Sequence, residues 1–319
     1  MPTLVKLLAQ RIALGLLLLF LVSILIFAGT NILPGDVAQS ILGQSATPEA
    51  LANLRKELGL NDPVVTRYFS WLGGALHGDL GTALTSRLDI ATEIGRRLGN
   101  TLFLAFWAAV IAVPLAIFLG LLAVRYRDRW PDKVISAFTL ASISVPEFLI
   151  GYLLMFFIGV KLRWFPSTAI SYRPDADLFT RLESIALPVA VLTFVVLAHM
   201  MRMTRAAILN VMQSAYIETA ELKGLNMFQV IYRHAFPNAI APIVNVVMLN
   251  LAYLVVGVVV IEVVFTYPGM GQYLVDHVSK RDVPVVQACG LIFAAVYIGL
   301  NLIADVVSIL SNPRLRHPK

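Results

Sequence analysis

The chain has 319 residues, 58% of them hydrophobic and 14% charged, whereas a soluble domain carries roughly 25% charged and about 45–50% apolar residues, which argues against a soluble globular protein and for lipid as the solvent. One cysteine, Cys289, leaves neither a disulfide framework nor a cysteine-based zinc site. The net charge of +6 fits Lys and Arg gathered on cytoplasmic loops and gives no reason to expect a nucleic-acid partner.

A bilayer core about 30 Å thick needs about 20 apolar residues of helix. Six segments qualify, near 9–31, 100–124, 134–160, 186–203, 239–265 and 287–310. Inside lipid each backbone group must be satisfied locally, so these segments are predicted helices. The fold class that follows is an all-α membrane protein with six transmembrane helices.

The first segment, residues 1–31, has Lys6 and Arg11 in front of an apolar stretch broken only by Ser23. That stretch exceeds the usual signal-peptide core of about 7–15 residues and reads as a retained transmembrane helix. With the N-terminus inside, thirteen Lys and Arg residues fall on cytoplasmic segments and six on the two short outer loops. The bias predicts both termini in the cytoplasm.

Residues 32–99 read as a folded extracytoplasmic helical segment. Thr47-Pro48-Glu49 is a helix start, with a capping hydroxyl, Pro at the first helical position and an acid in the first turn. That helix should pass through Leu51, Leu54 and Leu58 and stop at Gly59. Asn61-Asp62-Pro63 is a turn, a second helix is predicted over Val64 to Leu76, and a third starts at Asp89 and leads into span two with Gly99-Asn100 as a hinge. Residues 100–319 form the remaining transmembrane core.

Pro114, Pro146 and Pro188 are expected to kink their spans, because proline removes an in-helix hydrogen bond. Ionisable residues at membrane depth are candidates for function. Glu147, Glu262 and Asp305 are therefore the candidate translocation-pathway residues. Glu147 sits at the Pro146 break and is read as lining the pathway or pairing across a pore interface. Asp305 is read as pairing with a neighbouring helix or with Asn301, and Glu262 as lying near the outer end of its span with access to water. His199 is expected to bond a neighbouring helix.

None of the seven lysines follows a glycine, so a Gly-Lys-Ser/Thr phosphate loop is absent and this chain carries no ATPase site of its own. The histidines lack H-E-x-x-H spacing, no G-x-S-x-G occurs, and no catalytic residue or metal ligand set is predicted.

The segment 213–238 is a predicted helix-turn-helix on the cytoplasmic side. A helix through Tyr216, Ala220 and Leu222 ends at Gly224, which suits a left-handed C-terminal cap. Asn226 can cap the next helix. Phe228, Ile231, Tyr232 and Ala235 share one apolar face, and Pro237 interrupts the pattern before span five. Two short helices at a tight angle, with small residues at the bend, make a rigid knob that another protein can approach closely.

Glu218-Thr219-Ala220, then Gly224, then Pro237 resembles the E-A-A-x-x-x-G…P loop of bacterial ABC importer permeases. Thr219 replaces the middle Ala, and His234 and Phe236 stand where that family usually has Ile and Leu. The remainder is similar to the peptide, nickel and glutathione branch. The matching runs are Leu33-Pro34-Gly35-Asp36, Gly78-Asp79-Leu80-Gly81, Ser144-Val145-Pro146 with Phe148 and Gly151, Pro268-Gly269-Met270-Gly271, Arg281-Asp282-Val283-Pro284, and Asn312-Pro313-Arg314-Leu315-Arg316.

The resemblance implies a pore-forming permease subunit importing peptides or related small solutes. It implies a second homologous permease, two ATP-binding subunits that use ATP and Mg, an extracytoplasmic solute-binding protein, and surrounding membrane lipid. It assigns Glu218, Thr219, Ala220, Gly224 and Pro237 to coupling with the ATPases. A stand-alone channel or proton-coupled secondary transporter is the alternative for the same spans, but it has no use for such a knob.

Overall fold

The computed structural model describes residues 2–32, 37–42, 46–57 and 59–311. Leu33-Pro34-Gly35-Asp36, Leu58 and Asn312 to Arg316 lie outside these residues.

All six apolar runs become helical, and each starts ahead of its predicted first residue. They are α1 (Pro2–Ile32), α5 (Ile90–Arg125), the pair α6 (Trp130–Ser144) and α7 (Glu147–Leu154), α8 (Leu178–Met212), α11 (Phe236–Phe265) and α13 (Val283–Ser311). Shorter helices fill the connections: α2 (Val37–Leu42), α3 (Pro48–Glu57), α4 (Val64–Leu76), α9 (Ala215–Leu222), α10 (Met227–Gln229) and α12 (Met270–Ser279). Five helices among the described residues are long and apolar enough to cross a membrane, or six when the bent pair counts as one.

α8 is the central helix. Of its most apolar stretch 67% is buried, against 11% for α1, so α8 packs on protein and α1 presents most of its surface outward. α8 packs along α5, α11 and α6, while α1 leans chiefly on α13. The middle of the bundle is filled by residues such as Leu104, Ile185, Met200, Leu254 and Ile261.

The third apolar run differs from its sequence expectation. Pro146 does more than kink it: α6 and the stretch from Glu147 to Lys161 meet at 101°. Proline forces the residue before it out of the helical region, and Val145 is extended at φ −96°, ψ 128°. The last turns, Met155–Lys161, are π-helical. The pair still runs from one end of the bundle to the other. At its start Asp132 accepts from Arg205, near the end of α8. Gly151 packs on Val264 and Phe265 at the far end of α11, roughly 40 Å of helix from Phe236 at 1.5 Å per residue.

A second difference concerns the predicted hinge at Gly99-Asn100. α5 runs through both residues without a break. Asn100 is an anchor: its Nδ2 donates to the Pro268 carbonyl at 2.8 Å, and its carbonyl accepts from the Tyr267 hydroxyl at 2.8 Å.

Segment 32–99 has the predicted helices. The Ala50 N–H donates to Thr47 Oγ1 at 3.2 Å, and Gly59 takes φ +62° after the first helix. Asp89 Oδ2 accepts from the Thr92 N–H at 2.8 Å and opens α5. Tyr68 packs edge-on against Phe27 and meets Ser23 at 2.8 Å, which seats α4 on α1. Thr85 donates its N–H and hydroxyl to Asp282 Oδ2, both at 2.9 Å, and ties the segment to the turn before α13.

Candidate functional site

The predicted helix-turn-helix forms an elbow between α8 and α11. α9 ends where Gly224 adopts φ +77°, a left-handed conformation that glycine enters without a Cβ penalty. Asn226 Oδ1 accepts from the Gln229 N–H at 2.9 Å while the Gln229 side chain accepts from the Asn226 N–H at 3.3 Å. This reciprocal capping box fixes the entry to α10.

Val230–Ala235 is a π-helical stretch that leads into α11, so the chain stays helical from Met227 to Phe265. Pro237 lies at the second residue of α11, directly after the π-helical stretch, and the helix runs on through it where the sequence suggested an interruption. The Asn238 side chain donates to the His234 carbonyl at 2.7 Å.

The elbow has two apolar faces. One is turned inward: Ile217, Val230, Ile231 and Ala235 are buried against Leu121, Val124 and Ile208 of α5 and α8, and Ala220 is buried too. The other faces out. Leu222 is 83% exposed, and Tyr216, Met227 and Phe228 are also exposed. Phe228 and Tyr232 stack with centroids 4.3 Å apart, and the Arg125 guanidinium lies 5.4 Å from the Phe228 ring. Among the predicted residues, Glu218 and Thr219 are exposed and Ala220 is buried. Thr219 Oγ1 donates to the Ala215 carbonyl at 3.0 Å, so its hydroxyl is satisfied within its own helix. A Cβ at Gly224 would meet nothing within 4 Å, so the space beside the bend is open.

The three acids predicted to share a pathway lie in three different settings. Glu262 is 0% exposed, which corrects the expectation of water access. Its Oε1 accepts from the Thr101 hydroxyl at 2.6 Å, and its Oε2 from the N–H groups of Gly271 at 2.7 Å and Gln272 at 3.1 Å. Thr101 Oγ1 accepts in turn from the Met270 N–H at 2.8 Å. The carboxylate thus clamps α11, α5 and the start of α12. A Cβ on Gly269 would fall 2.0 Å from Glu262 Oε1, so the Pro268-Gly269-Met270-Gly271 run has glycine where the backbone must reach the acid.

Asp305 accepts from Arg11 at 2.9 Å, linking α13 to α1 across 294 residues of sequence. The neighbouring-helix option was the right one. Asn301 donates instead to its own helix, at the Tyr297 carbonyl.

Glu147 is half-buried at the α6–α7 break. It borders a cavity of about 580 Å³ that is also lined by His199, Asn250, Tyr253 and Tyr297. The sequence reading missed Asn250, Tyr253 and Tyr297. A polar residue in the middle of an apolar run was the available signal for Asn250. Arg205, bonded to Asp132 through Nε at 2.9 Å and Nη2 at 2.8 Å, was also missed as a partner.

Near the far end of the bundle, burial pushes the Tyr273 hydroxyl up to about 12. Two exposed acids go the other way. The Thr92 hydroxyl and N–H hold Asp89 below the usual carboxylate range, and those of Thr180 do the same for Asp177.

Residues 90–317 match the family described as binding-protein-dependent transport system inner membrane component, and residues 4–88 match the N-terminal part of such membrane components. A putative peptide transport system permease protein of Brucella abortus is 35% identical over 311 residues, covering 98% of this chain and 99% of that one. The glutathione transport system permease protein GsiC of Escherichia coli is 36% identical over 299 residues, covering 94% and 95%. A solved structure of the MetNI methionine ABC transporter in inward-facing form superposes with a TM-score of 0.48 at 17% identity, over 68% of this chain and 95% of that one. The matches run through α5 to α13 and through the segment ahead of them, and the chain therefore belongs to the binding-protein-dependent transport family, as the permease subunit of an ABC importer and a multi-pass protein of the bacterial inner membrane.

Proposed function

We propose that this permease imports peptides or closely related small solutes and that its elbow is the surface through which ATPase subunits drive it. The elbow faces the cytoplasm, with both termini on the same side, and segment 32–99 lies outside. An extracytoplasmic binding protein delivers the solute, and a second homologous permease completes the pore. Two ATPases, which use ATP and Mg, dock on the elbows.

The observation that carries the docking role is a rigidly capped elbow with Tyr216, Leu222, Met227 and Phe228 exposed on its outward face. Large apolar side chains grouped on a firm support mark a protein interaction site. The inward face is packed into the ends of α5 and α8, so a push on the elbow moves those helices as one body. Rigid-body rotation of this kind switches a pathway between two packings. Exposed Glu218 belongs to the contact surface, as do Thr219 and the open side of Gly224. Buried Ala220 keeps α9 close to the bundle, and Pro237 fixes the start of α11.

The acids take separate roles. Glu147 lines the pathway. Glu262 and Asp305 hold helices in place around it, as supported by the donors each of them has.

The test is co-purification of the ATPase subunits with tagged permease from membranes. Leu222→Asp should abolish co-purification and uptake while the amount of permease in the membrane stays at the wild-type level. Wild-type uptake by that variant would overturn the docking role.

A further inference from the structure

The cavity at the α6–α7 break has a distinctive chemistry. Its volume of about 580 Å³ falls within the roughly 300–1,000 Å³ typical of small-molecule sites. Glu147 is the single formally charged residue in its lining, which otherwise holds the polar Ser142, His199 and Asn250, the rings of Tyr253 and Tyr297, and apolar side chains. Among the described residues Glu147 makes neither a hydrogen bond nor an ion pair. Other acids placed at helix depth are answered from within the chain: Glu262 by three donors, Asp132 by Arg205 and Asp305 by Arg11. A carboxylate half withdrawn from water without a counter-ion is unfavourable, and such residues in membrane helices mark substrate or ion paths.

The rest of the lining suits one class of counter-ion. Tyr253 and Tyr297 bring two rings from α11 and α13, and aromatic rings attract ammonium groups. The Asn250 amide nitrogen donates to the Val246 carbonyl at 2.8 Å, so its own carbonyl oxygen remains an acceptor for an amide N–H. A negative charge in a cleft that also presents aromatic rings and an amide acceptor fits the amino end of a short peptide. It disfavours an anionic solute, because a one-sign cleft repels its like.

We propose that this cleft is the transient binding site for the ammonium end of the transported peptide, with Glu147 as its counter-ion. The assignment rests on the peptide import proposed above and adds the part of the solute that the permease itself contacts.

The experiment is uptake of labelled dialanine and of N-acetyl-dialanine by the complete transporter, with its binding protein, in proteoliposomes. The acetyl form lacks the ammonium group. Glu147→Gln should lower the preference for free over acetylated peptide about tenfold or more, as expected for a lost charge-assisted contact, and Glu147→Asp should restore much of it. An unchanged preference in the Gln variant overturns the proposal, while leaving peptide import standing. An equal loss of both peptides, with no rescue by Asp, also overturns it, because that is the signature of a structural role. Failure of the wild type to move either peptide overturns peptide import and this site with it.

Discussion

The two ends of α11 are built on opposite principles. At the Phe265 end, Glu262 is sealed in and meets donors from α5 and from the start of α12, and the neighbouring glycines are shaped to reach it. At the Phe236 end, an elbow braced by a capping box and a left-handed glycine leaves large apolar side chains in the open. The first end has found its partners within the chain. The second has the stiffness of a finished structure and the surface of an unfinished one, as the docking role proposed for it requires.

Removing the carboxylate at the first end should have the largest effect. Glu262→Ala leaves a buried hydroxyl and two N–H groups without an acceptor, at a cost of about 3–5 kcal/mol. Thermal unfolding in detergent reads it, and a loss below about 1 kcal/mol, typical of an ordinary surface site, would break the contrast.

Next is the clamp that seats α6. Arg205→Leu strands the Asp132 carboxylate, whose side chain is 6% exposed, and should cost about 2–4 kcal/mol, with part recovered by adding Asp132→Asn. Failure of the second change to recover anything would mean that packing by the arginine stem matters more than the pair.

At the elbow the effects on stability shrink. Gly224→Ala meets no atom within 4 Å and should cost only about 1–2 kcal/mol, through the left-handed backbone. Leu222→Ser should stay within about 0.5 kcal/mol and yet weaken ATPase co-purification severalfold. A large loss of stability there would show that Leu222 packs within the chain.

Acid separates the helix caps from both regions. Asp89 and Asp177 have lowered folded values. Their contribution is present above the unfolded value of about 3.9 and is lost as pH falls through the folded values. Asp89→Asn should therefore leave neutral-pH melting almost unchanged, since Asn also caps, and flatten its decline in acid. An unaltered acid decline would remove Asp89 as a cause.

Local features were legible in the sequence because their causes are local. The Thr47 and Asp89 starts, the Gly59 and Gly224 stops and the Asn226 cap each depend on a few neighbouring residues, and the spans followed from continuous apolar length. What was misread depends on distant partners. Gly99-Asn100 looked like a hinge until Tyr267 and Pro268 were placed against it. Glu262 looked wet because Thr101 is 161 residues away. A proline signals a break without giving its angle, so the 101° turn at Pro146 and the continuous helix through Pro237 were beyond pattern reading.

The most direct test of the elbow's role is side-specific labelling of a Leu222→Cys variant with an impermeant maleimide. Cys289 is the sole native cysteine and is buried, so the new thiol reports alone. The account expects labelling in inside-out vesicles stripped of ATPases, protection when the ATPases are added back, and none in right-side-out vesicles. Labelling from the outer side, or unchanged labelling with the ATPases bound, would contradict it.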